Sequence, residues 1–509
     1  MGVGLKLIRQ NDEGGDAHDA WTSWDRHPWR HPWLNYHNLR AMRDFSATVW
    51  EQAKQLKERL PRWRWHRPPD RRLHYGFVGN IANSLYTRAV PLRRAGLDVS
   101  IFLHPQDNYV MSQPGWEEFD GELPDGVTDI SELVTRHISL PHVQDVYRFA
   151  EIHDCHLRNQ RQFPRFVTAE DFSRWKPYLS FLATLEALQK MDALLATQAP
   201  YLAYLAHRPY LVAQSGGDIW FECSRDDLLG RLQRRAFFSA RAFIVSNPWS
   251  FAHARRFGMQ HLVYMPLILD EEIYSPGASV YREEWAKKSG GSFFVLATAR
   301  MDNFYKGSDI AIEGFAAFSR LVPGARLVVM GWGENQEASL TRLQAYGVAD
   351  KVIVLPIAGK KRLIQYLRAA DCLLDQFVLG YFGATGLEAM ACGLPVIMRL
   401  ERHQYDGMCL TGAPPVLNAS TAEEICAALQ TLASDLLQRK DIASEHRAWF
   451  LANHGSERWK GVYSDMLAAT ALGHKFDFSK SPLAAPLSGE EKAYHAEELA
   501  NAPKFPNYR

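Results

Sequence analysis

The stretch ADCLLDQFVLGYFGATGLEAMACGLPVI, residues 370–397, decides the fold expected for the chain. It begins with an apolar run of strand length at 370–377, followed by a turn with several glycines and by helix-forming residues at 387–391. A Gly-Leu-Pro segment ends that helix before a second short strand at 396–400. A strand, a Gly-rich turn and a helix N-terminus present unpaired backbone N–H groups at the edge of a sheet. The order of these elements therefore predicts an anion-binding turn in an α/β fold.

Glu388 lies in the first turn of the predicted helix. The helix dipole favours a carboxylate there, and the carboxylate can accept hydrogen bonds from vicinal hydroxyls such as those of a ribose. The alternative interpretation is an ordinary buried turn between a strand and a helix. A lone Gly-rich loop would indicate that alternative, whereas the length and order of the whole string favour a nucleotide site.

The string GYFGATGLEAMACGLPVI resembles the donor-site signature of family 4 retaining glycosyltransferases, which have the GT-B fold. That signature runs Glu-Gly-Phe-Gly and then Leu-Glu-Ala-Met-Ala-Cys-Gly-x-Pro-Val. Phe382, Gly383 and residues 387–393 match it. The resemblance implies that the chain binds a nucleotide-sugar donor and that Glu388 holds its ribose. The donor-binding residues implied within this turn are Gly380, Phe382, Gly383, Ala384, Thr385 and Glu388.

One position departs from the signature. Gly380 stands where the family has the first Glu, whose side chain contacts the transferred sugar. Asp375 and Gln376 precede the turn where the family usually has Pro-Ser. Either side chain could supply the polar contact instead.

The resemblance extends over the predicted second domain. Near its start, a strand runs into a loop bearing Arg300 and Lys306 and then into a helix. In the family, Arg followed by Lys-Gly at this place grips the nucleotide pyrophosphate, and two cations at a helix N-terminus suit a dianionic leaving group. The alternative is a pair of solvated surface charges. Further donor contacts are predicted at the turn glycines Gly331 and Gly333 and at the backbone of Ile357, where the family binds the base.

The predicted first domain opens with residues 74–105, which have the pattern strand, turn, helix, strand. This is the first βαβ unit of a doubly wound sheet. Gly79 and Asn80 occupy its turn, which resembles the loop that faces the donor phosphate in GT-B proteins. Asp218 follows a later strand in the segment SGGDI, where the family has His-Gly-x-Asp. Asp218 could bind an acceptor or sugar hydroxyl, or it could cap the following helix.

Length and composition limit the class of protein. A chain of 509 residues is too long for one core, and a net charge of +1 gives no case for nucleic-acid binding. No apolar stretch approaches the roughly 20 residues that span a bilayer. The six cysteines lack CxxC spacing, so a reducing compartment without disulfides is expected. The sequence predicts a cytoplasmic protein, at most peripheral at the inner face of the membrane.

The chain divides into two predicted domains with extensions. Residues 21–67 of the N-terminal extension are rich in Trp and Arg, which suits contact with a membrane interface, although docking onto the main body is the alternative. No metal site is predicted. The expected boundaries are an extension at 1–72, an acceptor-side domain at 73–276, a linker at 277–291, a nucleotide-sugar-binding domain at 292–456, a crossover helix that packs on the first domain at 457–472, and a loosely wrapped tail at 473–509.

These features predict a GT-B protein of the α/β class, with two doubly wound Rossmann-like domains facing each other across a cleft. By resemblance, it transfers a hexosyl group from a UDP- or GDP-linked donor to a hydroxyl of a polysaccharide, lipid-linked or other glycan acceptor. Retention of configuration, no metal and no further cofactor are also implied. Arg300 and Lys306 would meet the leaving-group charge, with Asp218 as the third catalytic residue.

Two other functions are compatible with parts of the pattern. A catalytically silent relative could keep the nucleotide pocket and serve as a binding partner. Gly380 in place of Glu and Ser215 in place of the family histidine favour that alternative, whereas the retained residues Arg300, Lys306 and Glu388 oppose it. A sugar-nucleotide epimerase on the same fold is opposed by the string LEAMACG.

Overall fold

The computed structural model describes most of the chain beyond its N-terminal extension, namely residues 72–103, 112–123, 143–145, 185, 187–214, 216, 218–405, 408–479, 481 and 483–500. The Trp- and Arg-rich residues 21–67 lie outside the described residues, so their contact with a membrane stays a prediction. Within the described residues, no helix has the length and apolar character needed to cross a bilayer.

The first domain is built on a sheet of seven parallel strands. These are β1 His74–Val78, β2 Asp98–Leu103, β3 Val143–Asp145, β4 Ala193–Ala196, β5 Tyr210–Ala213, β6 Phe243–Val245 and β7 Leu262–Tyr264. Their order across the sheet is β3-β2-β1-β4-β5-β6-β7. From β1 to β3 the strands are added toward one edge of the sheet, and from β4 to β7 they are added toward the other edge. The strand order therefore reverses between β1 and β4, which is the position where doubly wound sheets bind ligands.

Five helices surround the first sheet within the described residues. They are α1 Ser84–Arg94, α2 Gly115–Glu118, α3 Pro200–Leu205, α4 Leu228–Ser239 and α5 Pro248–Arg256. A further helical turn, Asp218–Glu222, follows β5. Local signals fix two of the helix starts, because Asp227 accepts a hydrogen bond from the N–H of Gly230 and Asn247 accepts one from the N–H of Ser250.

The second domain is built on a sheet of six parallel strands. These are β8 Phe293–Ala297, β9 Ala325–Met330, β10 Val352–Leu355, β11 Cys372–Leu374, β12 Val396–Met398 and β13 Leu417–Asn418. Their order is β10-β9-β8-β11-β12-β13. The reversal lies between β8 and β11, so the loops that follow these two strands emerge side by side at the carboxyl edge. The predicted α/β class with two doubly wound domains is confirmed.

The remaining described helices belong to the second domain and the C-terminal region. They are α6 Tyr281–Ser289, α7 Ser308–Leu321, α8 Gln336–Ala345, α9 Lys360–Ala369, α10 Ala384–Ala391, α11 Ala422–Ser434, α12 Leu436–Asn453, α13 Ser456–Ala471 and α14 Gly489–Ala500. Helix α13 packs against the first domain. There, the hydroxyl of Tyr463 donates to the carbonyl of Pro266 (2.7 Å) and accepts from Nε of Arg88 (2.9 Å).

The structure differs from the sequence expectation in two connecting segments. Within the predicted linker 277–291 lies α6, whose Trp285 is buried against the rings of Phe294 and Tyr366. In the tail, expected to wrap loosely, α14 packs against α4, and Arg255 donates to the carbonyls of residues 485 and 486 (2.6 and 2.8 Å). Both segments are ordered because each carries apolar side chains that a neighbouring helix buries.

Candidate active site

Lys306 lies at the carboxyl edge of the second sheet, in the loop between β8 and α7. The N–H of Phe377 donates to the carbonyl of Lys306 (2.8 Å), which holds this loop against the loop that follows β11. The ammonium of Lys306 donates to Oε1 of Gln376 (2.6 Å) and lies 4.0 Å from where a Cβ on Gly383 would stand. A cation therefore lies next to the residue at which α10 begins.

Arg300 lies in the same loop and is oriented by Asp302. Oδ2 of Asp302 accepts from both Nε (2.9 Å) and Nη2 (2.8 Å) of Arg300, whose guanidinium lies over the ring of Tyr305. Oδ1 of Asp302 accepts from the N–H of Tyr305 (2.9 Å) and so fixes the loop itself. Asp302 was not predicted as a site residue, although its position two residues after Arg300 allows the two side chains to form an ion pair.

The N-terminus of α10 completes the positive side of the site. Gly383 is its N-cap and carries no side chain that could cap the helix, and the buried carboxyl of Asp375 lies against Gly386 of the first turn. The N–H groups of its first turn, which begins with Ala384 and Thr385, lack intrahelical partners and can bind an anion. The structure thus places the ammonium of Lys306 near Gly383, the residue that precedes Ala384 and Thr385, and the contact of these residues with a donor stays a prediction.

Glu388 lies one turn further along α10 than the sequence indicated. The helix begins at Ala384 and not at residue 387, so Glu388 belongs to its second turn. The helix terminus therefore contributes little to its charge, and Lys360 at the start of α9 compensates it instead through a hydrogen bond from Nζ to Oε1. Glu388 is buried, and its Oε2 has no hydrogen-bond partner among the described residues. The contact of this oxygen with a ribose hydroxyl stays a prediction.

Glu117 of α2 reaches this pair from the first domain. Its Oε2 accepts from the hydroxyl of Tyr274 (2.7 Å). Burial raises the pKa of Glu117 to about 7, while the charge of Lys360 opposes the rise. Burial alone would lower the pKa of Lys360, but the charges of Glu388 and Glu117 outweigh it, and the pKa of Lys360 is raised. Lys360 therefore remains a cation between two carboxylates of different domains.

The segment around Glu117 docks onto the start of α9. The first three residues of α9 are cations, which the helix dipole disfavours at an N-terminus. Each of them has an acidic partner: Lys360 bonds Glu388, Lys361 lies 3.1 Å from Glu118, and Arg362 lies 3.2 Å from Asp120. No role was predicted for residues 106–168 from the sequence. The run of cations at a helix N-terminus was the available signal, because it is unfavourable without such partners.

The same segment engages the backbone predicted to bind a base. The N–H of Leu123 donates to the carbonyl of Ile357 (2.7 Å), and the N–H of Gly359 donates to the carbonyl of Gly121 (2.9 Å). The carbonyl of Ile357 thus already has a protein partner in this structure. A carbonyl oxygen has two lone pairs and can accept a second hydrogen bond, so the predicted contact of the Ile357 backbone with a base stays a prediction.

Phe382 has a packing role in this structure. Its ring stacks on Tyr405 at 5.4 Å and contacts Trp449 and His454 edge-on at 5.7 and 5.4 Å, while its N–H donates to the Tyr405 hydroxyl. The ring is partly buried and packs against the core below the turn. The predicted donor contact of Phe382 stays a prediction.

Gly331 and Gly333 hold the loop that carries Arg300. Gly333 has φ +113°, and a Cβ on it would overlap the backbone of Met301. The N–H of Met301 donates to the carbonyl of Trp332 (2.8 Å), so this turn and the loop lie in contact. Because of this close approach and the positive φ, position 333 requires glycine. A direct contact of either glycine with the donor stays a prediction.

Gly79 and Asn80 shape the first turn of the first domain. A Cβ on Gly79 would overlap the carbonyl of Thr197. The buried amide of Asn80 donates to Oδ1 of Asn83 and to the carbonyl of Ser112 (both 2.7 Å), and its oxygen accepts from the N–H of Tyr86. The Asn80 side chain is therefore used within the protein, where it anchors the segment 112–123, and is not directed at a phosphate.

Asp218 makes a local hydrogen bond at the start of the helical turn that follows β5. It begins the helical turn Asp218–Glu222, is buried, and its Oδ1 accepts from the N–H of Ile219 (2.9 Å). On the same side of the cleft, Trp249 of α5 stacks on Tyr381 of the second domain at 5.9 Å. A catalytic contact of Asp218 stays a prediction.

The buried carboxyl of Glu117 predicts a pH dependence of stability. Because its pKa is higher in the folded protein than the ordinary 4.5, the folded state binds more protons than the unfolded state between pH 4.5 and about 7. Its contribution to stability therefore falls as the pH rises through that window. Glu117→Gln should remove this slope and stabilise the protein above pH 7 by up to about 3 kcal/mol.

Urea unfolding at pH 5 and pH 8 measures this effect. The control is Glu118→Gln, which removes a neighbouring carboxylate whose partner Lys361 is half exposed. That control should keep the wild-type pH profile. A Glu117→Gln profile parallel to the wild type would contradict the burial assigned to this carboxyl.

Comparisons with known proteins agree with the architecture. Residues 282–403 match the family model of glycosyl transferases group 1. The fold is similar to that of HepE from Anabaena in complex with UDP and glucose (TM-score 0.55, 15% identity, 78% of this chain and 100% of that chain). It is also similar to sucrose-phosphate synthase from Thermosynechococcus elongatus (TM-score 0.51, 16% identity, the same coverage).

Curated relatives match part of the chain. The mannosylfructose-phosphate synthase of Agrobacterium fabrum is 29% identical over 151 residues, which are 28% of this chain and 33% of the relative. The D-inositol 3-phosphate glycosyltransferase of Segniliparus rotundus is 35% identical over 96 residues, which are 18% of this chain and 21% of the relative. The matched part thus spans a third or less of the length of these relatives. Residues 282–403 are thus similar to the glycosyl transferases group 1 family, and the two sheets have the GT-B fold.

Proposed function

We propose that the protein is a glycosyltransferase that moves a sugar from a nucleoside diphosphate donor to an acceptor hydroxyl. The observation that carries the proposal is the position of Lys306 next to the N-cap of α10, with Glu388 one turn further along the same helix. The names of the relatives, a mannosylfructose-phosphate synthase and inositol phosphate glycosyltransferases, support this class of reaction.

Different residues of the site bind the diphosphate and the ribose of the donor. The diphosphate binds at the N-terminus of α10, where Lys306 and the guanidinium of Arg300 meet its charge. Glu388 accepts hydrogen bonds from the ribose through Oε2, while Lys360 holds its other oxygen. As the glycosidic bond breaks, negative charge grows on the leaving phosphate, and the fixed cations stabilise it. The acceptor hydroxyl forms the new bond to the anomeric carbon and passes its proton to an oxygen of the leaving phosphate, and the nucleoside diphosphate departs.

The finer features of the reaction are also proposals. We infer transfer with retention of configuration, a UDP- or GDP-linked donor, and a polysaccharide or lipid-linked acceptor. Because Arg300, Lys306 and the helix N-terminus supply the positive charge, we expect EDTA to leave the rate unchanged. We place the protein in the cytoplasm, at most peripheral to the membrane, since four of the cysteines in the described residues are buried free thiols.

A donor panel tests the proposal. Purified protein is incubated with UDP- and GDP-linked hexoses and a mixed glycan acceptor, and the released nucleoside diphosphate is measured. Release with one donor supports the transferase. Binding of UDP or GDP by calorimetry without release from any donor would favour the catalytically silent relative.

The assignment of Glu388 makes a separate prediction. Glu388→Gln should weaken binding of the matching nucleoside diphosphate by about 1.5–3 kcal/mol, the scale of hydrogen bonds to a charged acceptor. Isothermal calorimetry measures the change, and Glu337→Gln on the exposed face of α8 is the matched control. Equal affinities of Glu388→Gln and the control would rule out the ribose contact.

A further inference from the structure

Gly380 has a carboxylate beside it that comes from another part of the chain. A Cβ on Gly380 would overlap Cγ of Glu401 and would lie 3.4 Å from its carboxyl carbon. The side chain of Glu401 therefore occupies the volume that a side chain at position 380 would take. The two residues are neighbours in space although twenty others separate them in the sequence.

Backbone pairing places Glu401 there. After β12, residues 399–401 run alongside the loop that follows β11, since the N–H of Arg399 donates to the carbonyl of Gln376 (2.9 Å) and the N–H of Glu401 donates to the carbonyl of Gly380 (2.8 Å). The guanidinium of Arg399 donates to Oε1 of Glu401 (2.9 Å) and to the carbonyl of Val378 (3.1 Å). Arg399 thus fixes the orientation of the carboxylate, which stays 35% exposed at the rim of the site.

The other polar side chains of this loop have inward-facing roles. Asp375 is buried under the N-terminus of α10 and lines a partly open pocket together with Lys306 and Ser308. Gln376 is buried, accepts from Lys306 and donates to the carbonyl of Tyr381. Both side chains are 5% exposed or less, whereas the side chain of Glu401 is 35% exposed and is the more accessible carboxylate beside Gly380.

We propose that Glu401 is a sugar-binding residue that supplies the carboxylate missing at Gly380. The proposal rests on the proposed function: a diphosphate bound at Gly383 places its attached sugar beside the loop 378–383, which Glu401 flanks. A carboxylate fixed by an arginine accepts hydrogen bonds from vicinal pyranose hydroxyls. It also repels an anionic sugar, so the donor class is a neutral hexose and not a uronic acid.

The first test separates binding of the sugar from binding of the nucleotide. Calorimetry compares the nucleoside diphosphate with its sugar-linked form, for the wild type and for Glu401→Gln. We expect the affinity for the free diphosphate to stay within twofold, and the affinity for the sugar-linked form to fall at least tenfold, with partial recovery in Glu401→Asp. Glu337→Gln is the control. An unchanged ratio of the two affinities in Glu401→Gln would overturn the proposal.

The second test moves the carboxylate back to position 380. Gly380→Glu alone introduces a side chain that overlaps Glu401, and we expect it to lower sugar-linked donor binding at least tenfold. The double variant Gly380→Glu with Glu401→Gly removes the overlap and should recover most of the binding. Failure of the double variant, with circular dichroism and melting as in the wild type, also overturns the proposal.

The two tests keep failure of this proposal apart from failure of the proposed function. Neither depends on turnover, so a protein that binds a sugar-linked nucleotide without transferring it still reports on Glu401. If the wild type binds neither nucleoside diphosphates nor their sugar-linked forms, the proposed function and the role of Glu401 are both overturned.

Discussion

Lys306→Met should lower kcat by about 10²- to 10³-fold while weakening donor binding much less. The ammonium of Lys306 lies next to the N-cap of α10, where negative charge grows as the diphosphate departs. An interaction that strengthens in the transition state affects the rate more than the affinity. Steady-state kinetics with a saturating acceptor, together with donor affinity from calorimetry, measures both quantities.

Two comparisons sharpen this expectation. Lys287→Met on the exposed face of α6 is the matched control and should keep the wild-type kcat. Arg300→Met should cost less than Lys306→Met, since Asp302 already neutralises part of the guanidinium charge. If Lys306→Met weakens donor binding and leaves kcat unchanged, the ammonium of Lys306 interacts equally with the bound donor and with the transition state. That outcome would contradict the proposed stabilisation of the leaving group.

Lys360→Met should lower the free energy of unfolding by about 3–5 kcal/mol. The substitution leaves the carboxylates of Glu388 and Glu117 buried together without the cation that holds them. Removing one partner of a buried ion pair is costly because the remaining charge is not compensated. Urea unfolding at pH 8, followed by tryptophan fluorescence, measures the loss.

The neighbouring cation is the control for this second expectation. Lys361→Met removes a half-exposed partner of Glu118 and should change stability by no more than about 1 kcal/mol. The double variant Lys360→Met with Glu388→Gln removes one of the two uncompensated charges and should recover part of the loss. Equal stability of Lys360→Met and Lys361→Met would show that the cluster is hydrated in solution.

Local sequence patterns determined the framework of this protein. Apolar runs of strand length, glycine-containing turns and helical segments indicated two doubly wound sheets, and the strand orders confirm them. The resemblance to the glycosyltransferase signature implied that Lys306 and the turn at Gly383 serve one site. The strand order shows why they are close, because β8 and β11 are neighbours on either side of the reversal and their following loops emerge side by side.

Only the tertiary structure decided which side chains occupy the site. The charges of Lys360, Glu388 and Glu117 lie near one another although Glu117 comes from the other domain, and Glu401 of the loop after β12 fills the space beside Gly380. No local pattern encodes such pairs, because they depend on how two separate loops pack and on which side chain burial turns inward. The same packing gives the side chain of Asn80 a supporting role, since its buried amide is used in hydrogen bonds within the protein.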